Sequence, residues 1–269
     1  ISSALIDLFL RLTGTTGDDS QLRIWSLRSG TCIQVLRSTI NGPVTDVAWC
    51  SNEHILHLLF SCADGTIHVY QHLSEKGATF QSVTIMQAHS SAIEALDLNP
   101  LRRQLATIGR GEVKVWNMHP DHDWSMTLLA HVPSAGYISC TVHFWDGGKS
   151  VIATFLDSHE IMIWDLEPWS LKRRAWTFSQ IGNAAISPDG TTIVVHNFIN
   201  GVDAYKLSTM VCKATYQTPV GCRRPKQIAF GFNGSLIAHG SNVGVVYVSD
   251  FVTADLLQTL QHSSCGSCL

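Results

Sequence analysis

Four stretches of the chain combine residue types and spacings that could do chemistry. Gly148-Lys149-Ser150 ends like a phosphate-cradling loop, in which backbone N–H groups and a lysine hold an anion. Such a loop needs another glycine about five positions earlier and a helix afterwards. The chain has His143 at the first place and the strand-like Val151-Ile152-Ala153-Thr154 at the second, so a hairpin turn is expected. Cys265-Gly266-Ser267-Cys268 has the spacing of a metal knuckle or a redox pair. A structural zinc site needs a second ligand pair, which the chain lacks. The stretch from His262 also repeats the His-Ser-Ser opening found at His89, which makes both cysteines small residues of an opening strand. His119-Pro120-Asp121-His122-Asp123-Trp124 gathers imidazoles and carboxylates that could meet a divalent ion. They share one proline-broken loop, so a solvated turn is expected. His159-Glu160 begins like a zinc-protease motif without its second histidine, and no Gly-x-Ser-x-Gly elbow exists. Asn233-Gly234-Ser235 has the form of a glycosylation acceptor and reads as a hairpin turn. No catalytic residue, metal ligand, cofactor or small-molecule substrate is therefore expected.

Three basic clusters remain: Arg102-Arg103, Lys172-Arg173-Arg174 and Arg223-Arg224-Pro225-Lys226. They read first as solvated loop charge. The 269 residues carry 18 Lys+Arg against 21 Asp+Glu, a formal net charge of −3, which argues against nucleic acid and anionic membranes as partners. Only 14 % of residues are charged while 45 % are hydrophobic, enough for a core and too much for disorder. The most apolar stretch, Ala4 to Leu12, is broken by Asp7 and Arg11 and is too short to cross a bilayer. The eight cysteines (Cys32, Cys50, Cys62, Cys140, Cys212, Cys222, Cys265 and Cys268) are scattered. Such spacing suits buried reduced thiols and an intracellular protein.

The elements that must position these residues show themselves as a repeat. Leu22-Arg23-Ile24-Trp25, Ile67-His68-Val69-Tyr70, Val113-Lys114-Val115-Trp116 and Ile161-Met162-Ile163-Trp164 share one alternating pattern ending in an aromatic. Weaker copies follow at Val202-Asp203-Ala204-Tyr205 and Val245-Val246-Tyr247, and the aromatics step by 41 to 48 residues. Alternation with period two marks each unit as a strand with one face toward a core. A step of roughly 40–45 residues is the spacing of four-stranded propeller blades. Apolar strands precede each unit, and Ser187-Pro188-Asp189-Gly190 and Phe232-Asn233-Gly234 supply hairpin turns between them.

With these motifs the chain resembles the WD-repeat (WD40-like) β-propeller family. The likeness rests on Gly17-Asp18-Asp19 through Trp25, Ala63-Asp64-Gly65-Thr66 through Tyr70, and Ile161 through Trp164-Asp165. From Ile181 to His262 the chain also looks like divergent, uncharacterised WD-repeat proteins of mushroom-forming fungi. The resemblance implies an all-β fold: a propeller of four-stranded antiparallel blades in a single domain over 1–269. Blades are expected near 8–38, 39–87, 88–130, 131–176, 177–216 and 217–261, with 262–269 opening a further strand. The first blade lacks its opening strand on this reading, and the chain lacks an initiator Met. Six visible blades then point to a truncated seven-bladed parent over six-bladed closure.

The family also implies a hydrogen-bonded His, Ser/Thr, Asp and Trp in each blade. Here that set comprises Thr154, Asp157 and Trp164 with His131; His89, Thr107 and Trp116, with Arg110 where Asp is expected; and Asp64, Asp19 and Trp25. Family members mostly assemble other proteins on their loop faces, so a non-catalytic scaffold or adaptor binding proteins or peptides is implied. Its contact positions are Asp64, Arg110, His159, Asn200, Arg223, Arg224 and Asn242. Two alternatives stand beside this one. Phosphoinositide-binding propellers carry paired arginines like Arg223-Arg224, although Cys222 and Pro225 flank the pair here. A propeller hydrolase would need clustered carboxyls of raised pKa.

Overall fold

The computed structural model describes residues 4–7, 11–17, 19–37, 41–52, 55–73, 79–134, 136–218, 225–241 and 244–261. Among them, 24 strands form six four-stranded sheets in which consecutive strands are hydrogen-bonded neighbours. The first sheet holds β1 (Ala4–Asp7), β2 (Leu12–Thr16), β3 (Gln21–Ser26) and β4 (Cys32–Arg37). The second holds β5 (Val44–Asn52), β6 (Ile55–Cys62), β7 (Thr66–Leu73) and β8 (Thr79–Gln87), and the third β9 (Ala95–Asn99), β10 (Gln104–Gly109), β11 (Glu112–His119) and β12 (Ser125–Val132). The fourth holds β13 (Ser139–Trp145), β14 (Ser150–Phe155), β15 (Glu160–Leu166) and β16 (Trp169–Trp176). In the fifth lie β17 (Ala184–Ile186), β18 (Thr192–His196), β19 (Gly201–Lys206) and β20 (Val211–Gln217), and in the sixth β21 (Ile228–Gly231), β22 (Leu236–Gly240), β23 (Val245–Asp250) and β24 (Leu256–Gln261). The architecture is all-β, built of six antiparallel propeller-type blades. The chain divides into two compact units, Ile1–Phe144 and Trp145–Leu269.

Two readings of the sequence need correcting. The first sheet has an opening strand: β1 pairs with β2 from Ala4↔Thr15 to Asp7↔Leu12. The charges of Asp7, its last residue, and of Arg11 beyond it disguise the strand. The second correction concerns the sixth repeat. In every sheet the register between the third and fourth strands slips just before the fifth residue of the third strand, at Trp25, Tyr70, Trp116, Trp164, Tyr205 and Ser249. Two residues later a backbone N–H bonds back across the sheet, as Leu27 N does to Arg11 O and Phe251 N to Ser235 O (both 2.8 Å). Ser249, not Tyr247, therefore occupies the aromatic place of the sixth sheet. The sequence pattern ending at Tyr247 lies two residues out of register with the sheet.

Each third strand puts its first, third and fifth residues on one face, here called leading, and its second and fourth on the other, called trailing. Within the first unit, Leu12, Leu22 and Ile24 of the first sheet share a core with Leu58 and Phe60 of the second. Leu59, Ile67 and Val69 of the second likewise meet Leu105, Trp116 and Met118 of the third. In the second unit Ile152, Ile161 and Ile163 meet Ile193, Val195 and Tyr205, and Val194, Val202 and Ala204 meet Ile228 and Ile237. Each such aliphatic side chain contributes roughly 1.5–3 kcal/mol on full burial, so sheet-to-sheet packing is the main source of cohesion inside each unit. Strands β10 and β14 are buried along their whole length, which explains their near-continuous apolar sequences.

Polar pins reinforce these contacts. Gln34 exchanges hydrogen bonds with the backbone of Phe80, Nε2 to O at 2.9 Å and N to Oε1 at 2.7 Å. Asp46 accepts the Leu96 N–H (2.9 Å), and Asn183 accepts that of Ile228 (3.2 Å) from the next sheet. Of the described cysteines, Cys50 and Cys62 are buried as expected while Cys32 is exposed.

Candidate functional site

The hairpins that join second to third strands carry most of the residues in question. In the first unit the β10–β11 turn is the most elaborately held. Arg110 (φ 50°) and Gly111 (φ 77°) both adopt left-handed backbone. A Cβ on Gly111 would lie 2.7 Å from Tyr137 O, so only glycine fits. Glu94 Oε2 accepts the Arg110 N–H (3.0 Å), Ser139 Oγ accepts that of Gly111 (2.7 Å), and Ser134 Oγ donates to Arg110 O (2.5 Å). Burial pushes the Glu94 carboxyl up despite these contacts. The Arg110 side chain is exposed, and its guanidinium has no partner among the described residues.

Beneath this turn His89, Thr107 and Trp116 form one chain. Thr107 Oγ1 lies 2.8 Å from His89 Nε2 and accepts the Trp116 indole N–H at 3.0 Å. Sequence reasoning missed the acid that faces the histidine. Glu112 Oε2 sits 2.9 Å from His89 Nδ1. Glu112 also meets Lys114 Nζ (3.1 Å) and His131 Nε2 (2.7 Å). Burial opposes its charge, but the bonds from Lys114 and His131 hold the carboxyl below its usual range. Burial, then the nearby Lys114 charge, pushes His89 down to about 4, so it stays neutral. His131, expected beside Thr154 and Asp157, is bound to Glu112 instead. A signal was present, since Glu160 stands in the same place in the fourth sheet, first in the third strand.

The other turns are held differently. Asp64 accepts from Thr66 N (3.0 Å), Thr66 Oγ1 (2.7 Å) and Asn41 Nδ2 (2.5 Å), so its carboxylate closes its own turn. Asp19 pairs with Arg23 (2.7 Å), and Trp25 Nε1 donates to Thr15 Oγ1 (2.9 Å). In the second unit Thr154 and Trp164 are buried, Trp164 stacks against Trp169 at 6.2 Å, and Asp157 is exposed. The half-buried His159 accepts the Thr177 N–H through its carbonyl at 2.9 Å. Asn200 is tied to Asn197, which donates to its Oδ1 at 2.8 Å. Arg223, Arg224, Asn242, Cys222, Cys265 and Cys268 lie outside the described residues, as does the stretch 262–269.

The remaining candidate chemistry is absorbed into structure. Gly148 N bonds Trp145 O and Lys149 N bonds Asp146 O, the hairpin expected there. In the 119–124 loop Asp121 pairs with Arg103 (2.7 Å), while buried Trp124 packs at a tilt against His57, ring centres 4.4 Å apart. No group of metal-ligating side chains occurs among the described residues. The basic run of β16 is engaged throughout. Lys172 bonds Asp165 (2.8 Å), Arg173 donates to the Leu207 and Ser208 carbonyls, and Arg174 Nε donates to buried Glu160 at 2.6 Å. That leaves Lys172, Arg173 and Arg174 little capacity for a lipid phosphate.

Fold and site together define a repeat protein made of propeller blades with structured turn ends. Residues 30–71, which lead into the second sheet and close just past Tyr70, match the family described as WD domain, G-beta repeat. No curated protein matches the chain, so the likeness to the fungal proteins gains no support. No described helix is long and apolar enough to cross a membrane.

Proposed function

We propose that the chain is a non-catalytic, intracellular interaction module, a single scaffold or adaptor domain that docks a partner protein at its second-to-third-strand turns. WD propellers generally bind proteins, and one observation supports this site in particular. The backbone of the β10–β11 turn donates to Glu94 and Ser139 and accepts from Ser134, yet the turn presents an unpaired arginine to solvent. A cation whose backbone is already ordered costs little entropy to engage, and arginine favours bidentate contact with carboxylates. The partner segment is accordingly acidic.

The test is quantitative affinity capture with the wild-type chain and with Arg110→Glu, at low and high salt. The variant is expected to lose a specific set of proteins that also elute from the wild type with salt, while its melting temperature is unchanged. Retention of the same set by both chains overturns the assignment.

A further inference from the structure

Two histidines meet where the fifth and sixth sheets pack together, both inside the second unit. His196 ends β18 two residues past Val194 and shares its face, the trailing one. His239 on β22 stands two residues past Ile237 and shares the leading face of the sixth sheet. Val194 and Ile237 belong to one core, so the two imidazoles extend that contact toward the turn ends of the sheets. The backbone ties the place down. Asn183 O accepts the His196 N–H (2.9 Å), Asn183 Oδ1 accepts the Ile228 N–H (3.2 Å), and Ile228 is the register partner of His239. Lys226 lies two residues before Ile228, its Cβ and Cδ 3.9 Å from where a Cβ on Gly240 would stand.

The polar atoms gathered here lack counterparts. His196 Nδ1 and His239 Nε2 are buried without hydrogen-bond partners. A Cβ on Gly182 would fall 2.6 Å from His196 Nδ1, and the Phe198 ring meets that imidazole edge-on at 4.8 Å. His239 packs against Tyr247 at 5.7 Å. Burial, then the charges of Lys226 and His239, pushes His196 down to about 4. Burial also pushes His239 down, against a hydrogen bond to the Gly240 backbone. No carboxylate among the described residues acts on either ring. The acids of these sheets are engaged elsewhere. Asp203 lies on the other face of β19 and accepts from Thr215 Oγ1 (2.7 Å), and Asp250, at the other end of β23, accepts the Val252 and Thr253 N–H groups (both 2.8 Å). Lys206, Lys213 and Asp255 are exposed.

We infer that this junction is an acid-opened joint: as protons bind His196 and His239, the sixth sheet parts from the fifth while the fourth and fifth stay packed. A proton on either ring adds a like charge beside Lys226 inside a packed contact, with no anion to offset it, and the strain is relieved when water reaches the rings. Apart from the shared aliphatic core, the polar ties to be broken are the Asn183 bond to Ile228 and the Tyr216 hydroxyl donating to Phe251 O (2.6 Å). The fourth–fifth junction has no such trigger. The places of His196 and His239 are taken there by Thr154 and Val195, both fully buried and neither titratable. Because neutral imidazoles are favoured in the closed joint, its stability is complete above the ordinary histidine value of about 6.5 and is lost as pH falls toward 4.

Hydrogen exchange of the whole chain, read by mass spectrometry at about pH 7.5 and about pH 5 and corrected for the intrinsic pH dependence of exchange, tests this. Amides of β22 and β23 are expected to lose roughly ten- to thirtyfold in protection relative to those of β14 and β15 at the lower pH, the upper figure being what His196 alone allows. The double variant His196→Thr/His239→Val, which installs the residues of the fourth–fifth junction, is expected to remove that difference. If it does not melt cooperatively, His196→Thr alone replaces it and should reduce the loss by about threefold or more. Equal loss in the fourth and sixth sheets, no loss in either, or a loss undiminished in the variants overturns the proposal.

Discussion

Replacing Asp97 by asparagine should cost stability in acid and recover that loss relative to wild type as the pH rises to neutral. Asp97 lies on β9, where Oδ1 accepts the Leu98 N–H at 2.9 Å and Oδ2 the Phe144 N–H at 2.6 Å. It keeps a little solvent contact but is surrounded by protein, and that burial pushes its carboxyl up to about 6 against the two hydrogen bonds. An acid whose folded pKa is raised is bound more tightly as the neutral form. Its favourable contribution is complete below the unfolded pKa of about 4 and is lost as pH rises to about 6. The rise from about 4 to about 6 corresponds to a ceiling of about 3 kcal/mol, which residual solvent contact reduces to about 1–2 kcal/mol. An asparagine carbonyl in the place of Oδ2 can accept the Phe144 N–H without charge, as Asn183 accepts that of Ile228 at 3.2 Å, but its amide NH2 cannot accept the Leu98 N–H, a loss of about 1 kcal/mol at every pH. Urea unfolding of wild type and Asp97→Asn at a series of pH values measures the difference directly. The variant is expected to be less stable than wild type by about 1 kcal/mol at about pH 4, and to recover about 1–2 kcal/mol relative to wild type by about pH 7. The difference curve is the right observable because His89 acts oppositely. Burial lowers its pKa to about 4, so its contribution is complete above its unfolded value of about 6.5 and is lost as pH falls toward 4. If the difference between variant and wild type is the same at about pH 4 and about pH 7, the burial argument for Asp97 is wrong.

Two further outcomes follow from the β10–β11 region. His89→Ala removes a side chain with no solvent exposure that touches Thr107 and Glu112, and should cost about 2–4 kcal/mol in chemical unfolding; a loss under about 0.5 kcal/mol would make that chain incidental. Gly111→Ala puts a Cβ 2.7 Å from Tyr137 O at a φ of 77°, and should cost roughly 2–4 kcal/mol while also abolishing the captures that depend on Arg110.

Strands were legible because their signal is local. The alternation in Leu22-Arg23-Ile24-Trp25 is visible within four residues, and the structure buries Leu22 and Ile24 completely. The sixth repeat was misregistered because Tyr247 imitates the terminal aromatic, while the backbone bulge that defines the position falls before Ser249. No side-chain pattern reports a bulge. The pins were invisible for a different reason. Asp46 and Leu96, like Asn183 and Ile228, are about one repeat apart, and their hydrogen bonds exist only once the sheets have packed. Arg173 likewise looked like free loop charge until its carbonyl partners, Leu207 and Ser208, came from the following sheet.

The degenerate turn of the third sheet is best understood as a transfer of roles. In the second sheet the turn carboxylate, Asp64, spends its hydrogen-bonding capacity on Thr66 and Asn41 and has little left for a ligand. At the matching turn of the third sheet Arg110 cannot do that work. The histidine below it faces Glu112, two residues further on, and Glu94, Ser134 and Ser139 hold the turn through its backbone. Because the turn no longer depends on the side chain at position 110, that side chain can vary without loss of stability. Departure from the repeat pattern at this one position therefore frees a charged group at an ordered turn. A contact residue can arise there without weakening the blade beneath it.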